Sequence, residues 1–266
     1  REISVRDLLR HTSGLPGANR YIGGSTAVDR LYRRHGLDRF EDGDLAAMVT
    51  KLGRIPLLYQ PGRKWHYSIA ADVLGRLIEV VSGRGFDEFL AERIFAPLGM
   101  DRSCLGIDDF EIEDTVWVGT SMDESADGQH WGPNSGYWRD FGCPWGGMHS
   151  TGPDLGKLLQ CVLNGGSVGD QRVFSKAAAG AMVSNQNPSH LEAPWGVGWA
   201  LRDSRVWAFF GEQVSPRTFG HVGATGTVAW ADPASELICV CLTNVKIQDG
   251  SLLRRVSNAV AAAVID

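Results

Sequence analysis

The side chains able to do chemistry in this 266-residue chain are few enough to test by spacing. A Ser-x-x-Lys pair would put an amine one helical turn from a hydroxyl and help remove its proton. The lysines are Lys51, Lys64, Lys157, Lys176 and Lys246, and three residues before them stand Met48, Pro61, Asp154, Val173 and Thr243. None of these is serine, and Thr243 and Lys246 lie at a strand end, where they would not face each other as on a helix. The stretch Gly165-Gly166-Ser167-Val168-Gly169 fits Gly-x-Ser-x-Gly. That nucleophile elbow needs a strand before the serine and a helix after it. Here helical periodicity precedes and the polar turn Gly169-Asp170-Gln171 follows, so a helix-to-strand loop accounts for the glycines.

Metal chemistry finds less support. His11, His35, His66, His130, His149, His190 and His221 show neither His-x-His nor His-Glu-x-x-His spacing. The acidic run Asp108, Asp109, Glu111, Glu113, Asp114 lacks the spacing of a calcium loop and reads as a solvated surface. Cys104, Cys143, Cys161, Cys239 and Cys241 are odd in number and contain no Cys-x-x-Cys, which argues against a disulfide framework and a structural zinc site. Interior thiols are the plain reading, and they lean towards a cytoplasmic compartment without fixing one.

Two stretches remain. In Pro61-Gly62-Arg63-Lys64-Trp65-His66-Tyr67-Ser68 a tyrosine stands just ahead of a long helical pattern. Helix N-termini carry partial positive charge, so a phenol there is expected to ionise more readily than a free one and to act as a base; an ordinary packed aromatic is the alternative. In Phe219-Gly220-His221-Val222-Gly223-Ala224-Thr225-Gly226 small residues flank a histidine at the expected start of a strand. Glycines at such an edge let a substrate approach backbone N–H groups. A plain β-turn would also explain them.

The elements that must position these residues follow from periodicity. Ser4 is a plausible N-cap for a short helix with Val5, Leu8 and Leu9 on its apolar stripe and Gly14 to stop it. Residues 44–52 read as a second helix. From Ser68, the residues Ile69, Val73, Leu74, Leu77, Ile78 and Val81 recur at helical spacing until Gly83. Further helices are expected over 86–95, closed by Pro97 and Gly99, over 153–163 with Pro at the first turn, and over 175–183. Residues 108–148 lose periodicity, gather Trp117, Trp131, Trp138 and Trp145, and read as long loops with brief strands. After Trp195 come β-rich runs at 196–199, 206–210, 225–230 and 237–242, then a helix capped by Asp249 with Leu252, Leu253, Val256, Val260 and Val264 facing the sheet. This order implies an α+β architecture.

Composition sets outer limits. With 43% hydrophobic and 21% charged residues the chain can bury a large core. Its 26 Lys and Arg against 31 Asp and Glu give a net charge of −5 with no basic cluster, so nucleic acid is not an expected partner. No apolar run approaches the roughly 20 residues of a membrane helix.

Taken together the motifs resemble the serine β-lactamase and penicillin-recognising family in its class C branch, which also holds carboxylesterases, D-amino-acid peptidases and acyltransferases. The matching stretches are Val5-Arg6-Asp7-Leu8-Leu9-Arg10-His11-Thr12-Ser13-Gly14-Leu15, Tyr67-Ser68 running into Leu74-Gly75 and Ser82-Gly83, Pro97-Leu98-Gly99-Met100, Gly146-Gly147-Met148-His149-Ser150-Thr151 and Gly220-His221-Val222-Gly223. They keep the family's order across almost the whole chain. The resemblance implies a β-lactamase/transpeptidase-like fold forming one domain over 1–266, incomplete at its N-terminus. About 1–185 would be mostly helical with active-site loops, and about 195–266 an antiparallel sheet with a C-terminal helix.

It also implies three catalytic elements: Ser-x-x-Lys, Tyr-x-Asn, and a Lys-Thr-Gly or His-x-Gly strand. The first belongs upstream of the His-Thr-Ser-Gly helix, so this chain would lack its nucleophile and be inactive alone. Tyr67 becomes the proton-relaying tyrosine, His221 and Gly223 the strand motif, and the Ala224 N–H one oxyanion donor. Ile69 stands where the family has asparagine and cannot hydrogen-bond a substrate amide. A histidine that is neutral near pH 7 partners a carboxylate less well than lysine does. Both favour an uncharged small ester or acyl substrate, hydrolysed through an acyl-serine with no cofactor and no metal. The residues 108–148 would shape an apolar acyl pocket. A D-amino-acid peptidase or weak β-lactamase, or a non-catalytic relative of the fold, are the alternatives.

Overall fold

The computed structural model describes residues 1–17, 26–37, 45–107, 110–119, 132–191, 193–204, 207–245 and 249–264. Helix α1 (Val5–Leu9) opens on a reciprocal cap: the Asp7 N–H donates to Ser4 Oγ at 3.2 Å and the Ser4 N–H to Asp7 Oδ2 at 3.0 Å. The helix ends at Arg10 rather than at Gly14. Gly14 instead takes φ +84° in the next turn, where a Cβ would lie 2.1 Å from the Tyr59 carbonyl oxygen. The Asp7 carboxylate is the anchor of this region. It accepts from Arg1 at 2.6 and 2.8 Å, Ser4 Oγ at 2.6 Å, Thr12 Oγ1 at 3.1 Å and Arg10 at 3.3 Å. Burial pushes its pKa up, but these donors outweigh burial and hold it well below the usual carboxylate range.

Helices α2 (Ala27–Arg34), α3 (Leu45–Leu52) and α4 (Ala70–Ser82) share a core with α1, built on Leu8, Leu15, Tyr32, Leu37, Met48, Leu52, Ile55 and Ile69. As the spacing predicts, α4 stops at Gly83 in the left-handed region. Val81, placed on the apolar stripe by spacing alone, is 80% exposed, because the inward face is the one that carries Ile69, Val73 and Leu74. The helix expected over 86–95 runs on as α5 (Phe86–Leu90), a π-turn (Ala91–Phe95) and α6 (Ala96–Leu98). The wider π-turn lets Pro97 sit inside the run, and left-handed Gly99 ends it.

The stretch 108–148, read as long loops with brief strands, also holds helix α7 (Gly136–Asp140); strand β2 (Met148–His149) closes it and pairs antiparallel with β1 (Cys104–Leu105), which precedes it. Trp131 lies outside the described residues. Next come α8 (Gly152–Leu163), whose N-terminal amide of Asp154 is capped by Thr151, the hairpin β3 (Ser167–Val168) and β4 (Gln171–Arg172), and α9 (Lys176–Met182), capped by Ser175. Ser167 therefore follows a helix and enters a hairpin, the reverse of an elbow's context.

The main sheet is an antiparallel meander of β5 (Ala200–Leu201), β6 (Phe219–Gly223), β7 (Thr227–Asp232) and β8 (Leu237–Cys241). The strand expected at 196–199 is a bend that enters β5, residues 207–210 are irregular, Val206 lies outside the described residues, and 225–230 is shifted onto β7. β6 puts His221 in mid-strand, paired with Ala229, rather than at its start. Alternation splits the core: Phe219 and Ala231 pack with Leu159 and Val162 of α8, while Val222, Val228 and Trp230 pack with Leu253 of α10 (Ser251–Ala262). α10 is turned from the expected stripe. Leu253 and Ser257 are buried, Leu252 and Val264 exposed, and the Trp230 indole N–H donates to Ser257 Oγ at 2.9 Å. Gly250 takes the N-cap position, and Asp249 accepts the Ser251 N–H from one residue earlier.

Gly14→Ala tests the turn after α1, since it forces a side chain onto left-handed backbone against Tyr59. Urea denaturation should show a loss of about 1–3 kcal/mol; an unchanged midpoint would mean the turn can reorganise freely.

Candidate active site

Tyr67 is placed by stitching two distant segments together. The Leu58 N–H donates to the Gly14 carbonyl at 2.8 Å, Gly62 to Thr12 at 2.8 Å, His66 to His11 at 2.9 Å, and Ile69 to Pro16 at 3.2 Å. The Ser68 N–H donates to the Nδ1 of His11 at 3.3 Å. Tyr67 thus sits at the mouth of α4, held along its length by residues 11–16.

On the other side stands β6. The ring centroids of Tyr67 and His221 are 5.8 Å apart. His11 is nearer still to the phenol, at 4.6 Å. Trp195 forms a floor that both imidazoles meet edge-on, His11 at 5.5 Å and 79°, His221 at 5.6 Å and 87°. Trp207 lies 5.2 Å from Tyr67, and Trp65 lies 5.2 Å from Trp195. The indole N–H groups of Trp65, Trp195 and Trp207 are buried without a hydrogen-bond acceptor.

The two imidazoles carry opposite tautomers. A carbonyl can only accept, so the 2.7 Å contact between His221 Nδ1 and the Val222 carbonyl puts the proton on Nδ1 and leaves Nε2 an acceptor. His11 accepts at Nδ1, so its proton is on Nε2. Burial pushes the His221 pKa down, with the Val222 carbonyl pulling the other way. Burial, reinforced by His221 and His66, brings His11 down to about 3. Both rings are neutral at pH 7.

Tyr67 departs from the expectation drawn from its helix. Burial, followed by the nearby Asp72 carboxyl, pushes the phenol up to about 12. It is held protonated, not ionised. Asp72 is itself fully buried, accepts the Trp145 N–H at 3.2 Å through Oδ1, and leaves Oδ2 unpartnered. Burial pushes its pKa well up, against the pull of that amide.

Gly223 and Ala224 follow His221 out of β6 into the hairpin turn. A Cβ on Gly223 would lie 2.3 Å from Thr227 Oγ1 across the hairpin, so a side chain there would have to displace that hydroxyl. Ala224 is exposed. Ile69, read as a position facing substrate, is fully buried in the helical core. The tryptophans expected to wall a pocket are elsewhere: Trp117 is 66% exposed, and Trp138 and Trp145 pack on each other at 5.8 Å. The walls around Tyr67 come instead from Trp65, Trp195 and Trp207. Neither these nor His11 was given a role by spacing, although His11 lies within the Arg10-His11-Thr12-Ser13-Gly14 motif. Among the described residues no cluster of three His, Cys, Asp or Glu side chains could hold a metal ion, and no helix is long and apolar enough to cross a membrane.

The fold agrees with what comparison with known proteins gives. The family model described as Beta-lactamase matches residues 1–262, and the chain belongs to that family of β-lactamase-fold hydrolases. An Escherichia coli O157:H7 protein named "Putative D-alanyl-D-alanine carboxypeptidase" is 30% identical over 259 residues, covering 91% of this chain. The chain spans 57% of that relative's length. Among solved structures, EstCE1, described as a hydrolase with promiscuous acyltransferase activity, shares the fold with a TM-score of 0.73 at 22% identity, over 97% of this chain and 72% of its own. A penicillin-binding protein homologue from Caulobacter crescentus does so with a TM-score of 0.71 at 20% identity, over 98% and 71%.

The phenol's state is directly measurable. With 13C-labelled tyrosine, and Tyr67→Phe to assign the signal, the Tyr67 resonance should stay in its protonated position at pH 10, where a free phenol is about half ionised. A midpoint at or below 10 would reinstate the helix terminus as the governing influence.

Proposed function

We propose that this chain is the Tyr67 and His221 portion of a serine hydrolase that cleaves carboxylic esters or related small acyl compounds through an acyl-serine. The observation that carries the reading is the 5.8 Å approach of Tyr67 to a neutral His221. No Ser-x-x-Lys occurs in the sequence, so the nucleophile and its lysine are assigned to a segment outside this chain. In the proposed reaction the serine oxygen attacks the carbonyl carbon and its proton passes to the Lys–Tyr67 pair. The oxyanion is held by backbone N–H groups, that of Ala224 among them. The C–O bond to the alcohol then breaks, and Tyr67 returns a proton to the departing oxygen. Water repeats the sequence and releases the acid.

The high pKa of Tyr67 suits the donor step as it stands. The base step needs a cation close by to bring the phenol down, and a lysine beside the serine would supply it. His221, without charge at pH 7, fits an uncharged ester better than a substrate carboxylate. The D-amino-acid peptidase reading draws its support from the 30% identical relative and its carboxypeptidase name.

In the protein carrying the upstream segment, Tyr67→Phe should lower turnover of a chromogenic ester by about 10²–10⁴-fold, the usual worth of general acid–base catalysis. The unaltered protein should prefer that ester to a chromogenic cephalosporin and to a peptide ending in D-alanine. Unchanged turnover in the variant would remove Tyr67 from the chemistry, and a preference for the peptide would favour the second reading. These 266 residues alone should take up no serine-directed phosphonate, as read by intact mass.

A further inference from the structure

We propose that His11 is the positioning residue for Tyr67, fixing the phenol through the two amides that flank it and through its own ring. This rests on the reading of Tyr67 as a proton-transfer group but not on the identity of the substrate. The His11 carbonyl accepts the His66 N–H at 2.9 Å, and its Nδ1 accepts the Ser68 N–H at 3.3 Å. The residues on both sides of Tyr67 are therefore held by one residue of another segment.

His11 does this from unusual backbone. His11 has φ +56°, in the left-handed region where histidine, asparagine and aspartate are the commonest non-glycine residues. There its main-chain carbonyl and its side chain both reach the segment 66–68. The ring then lies 4.6 Å from the phenol, tilted by 40°, and is wedged against Trp65 at 6.0 Å and Trp195 at 5.5 Å. Neither ring nor phenol has space to turn without disturbing the other.

The clamp works only while the imidazole is neutral. A proton on Nδ1 would convert the acceptor into a donor facing the Ser68 N–H and break the second bond. The titratable groups that face His11 are His66, Tyr67 and His221. None is anionic at neutral pH, so nothing there rewards a positive charge. Because the folded pKa lies below the ordinary histidine value, the clamp's contribution is complete above about pH 6.5 and declines as pH falls towards about 3.

Three measurements test this. In the 15N spectrum of the chain, His11 should be the neutral Nε2–H tautomer at pH 7 and should resist protonation to below pH 4; the other tautomer, or a midpoint near 6.5, overturns the proposal. His11→Phe keeps a ring but no acceptor, whereas His11→Asn keeps an acceptor and tolerates the left-handed backbone. The Ser68 amide should exchange slowly in the unaltered chain and in His11→Asn, and quickly in His11→Phe; equal protection in all three overturns the clamp. In the protein with its upstream segment, His11→Phe should lower ester kcat by about 10²-fold, the scale of a misplaced catalytic group. KM should stay nearly constant, and His11→Asn should recover most of the loss. Equal kcat in all three removes the functional role. If the unaltered protein cleaves no ester, the functional reading above fails, while the tautomer and exchange results still decide the clamp.

Discussion

The pairing of residues 11–16 with residues 58–69 is the constraint on which the site depends. Neither segment is regular secondary structure, so their backbone polar groups find no partners in a helix or sheet of their own. They satisfy each other instead, and the cost of leaving such groups buried and unpaired makes the arrangement stiff. One end of the pair is fixed by Asp7, whose carboxylate gathers donors from Arg1, Ser4, Arg10 and Thr12. The other runs into α4 at Ile69. The two residues before His11 also reach across to the sheet side: Arg10 donates to the Gln186 carbonyl at 2.9 Å, and the Gly198 N–H donates to the Leu9 carbonyl at 3.3 Å. Tyr67 and His221 therefore meet because one short stretch is tied to both halves of the chain.

Electrostatics within that frame is decided by burial rather than by the helix. A helix terminus contributes about 0.3–1 kcal/mol, while a single pKa unit is about 1.4 kcal/mol. It cannot offset desolvation strong enough to bring a phenol from 10 to about 12. The dipole argument also assumes a group in the first turn. Tyr67 stands two residues ahead of Ile69, the N-cap, and makes its closest ring contacts with His11 and Trp207. Low dielectric cuts both ways: a site that suppresses ionisation responds strongly to a cation brought into it.

Much of the scaffold was legible because its signals are local. Gly83 and Gly99 end their helices in left-handed backbone, and Ser4 caps α1. Tyr67 and His221 could be singled out for the same reason, by what lies beside them in sequence. β6 was harder to bound, since Phe219-Gly220-His221-Val222-Gly223 is poor in strand-forming residues. Its glycines are demanded from outside: a Cβ on Gly220 would lie 2.7 Å from the Trp230 Cα on the neighbouring strand. The tryptophan wall was illegible because Trp65, Trp195 and Trp207 come from separate loops, and no periodicity links them. Density of tryptophan in sequence pointed to 108–148, where Trp117 faces solvent instead.

The uncharged character of the site has a structural origin that goes beyond His221. Both imidazoles beside the phenol are neutral because burial pushes their pKa values down; the His221 bond to the Val222 carbonyl pulls against this, while the bond His11 accepts from Ser68 works with it. A charge on His11 would have to break its bond from Ser68 as well as overcome desolvation, whereas on His221 desolvation alone opposes it. The result is a phenol between two imidazoles that are rigid, neutral and oppositely polarised at Nε2, one a donor and one an acceptor. Such a site is organised before any substrate arrives, and its polarity is set by the folding of the chain, not by the pH of the medium near neutrality.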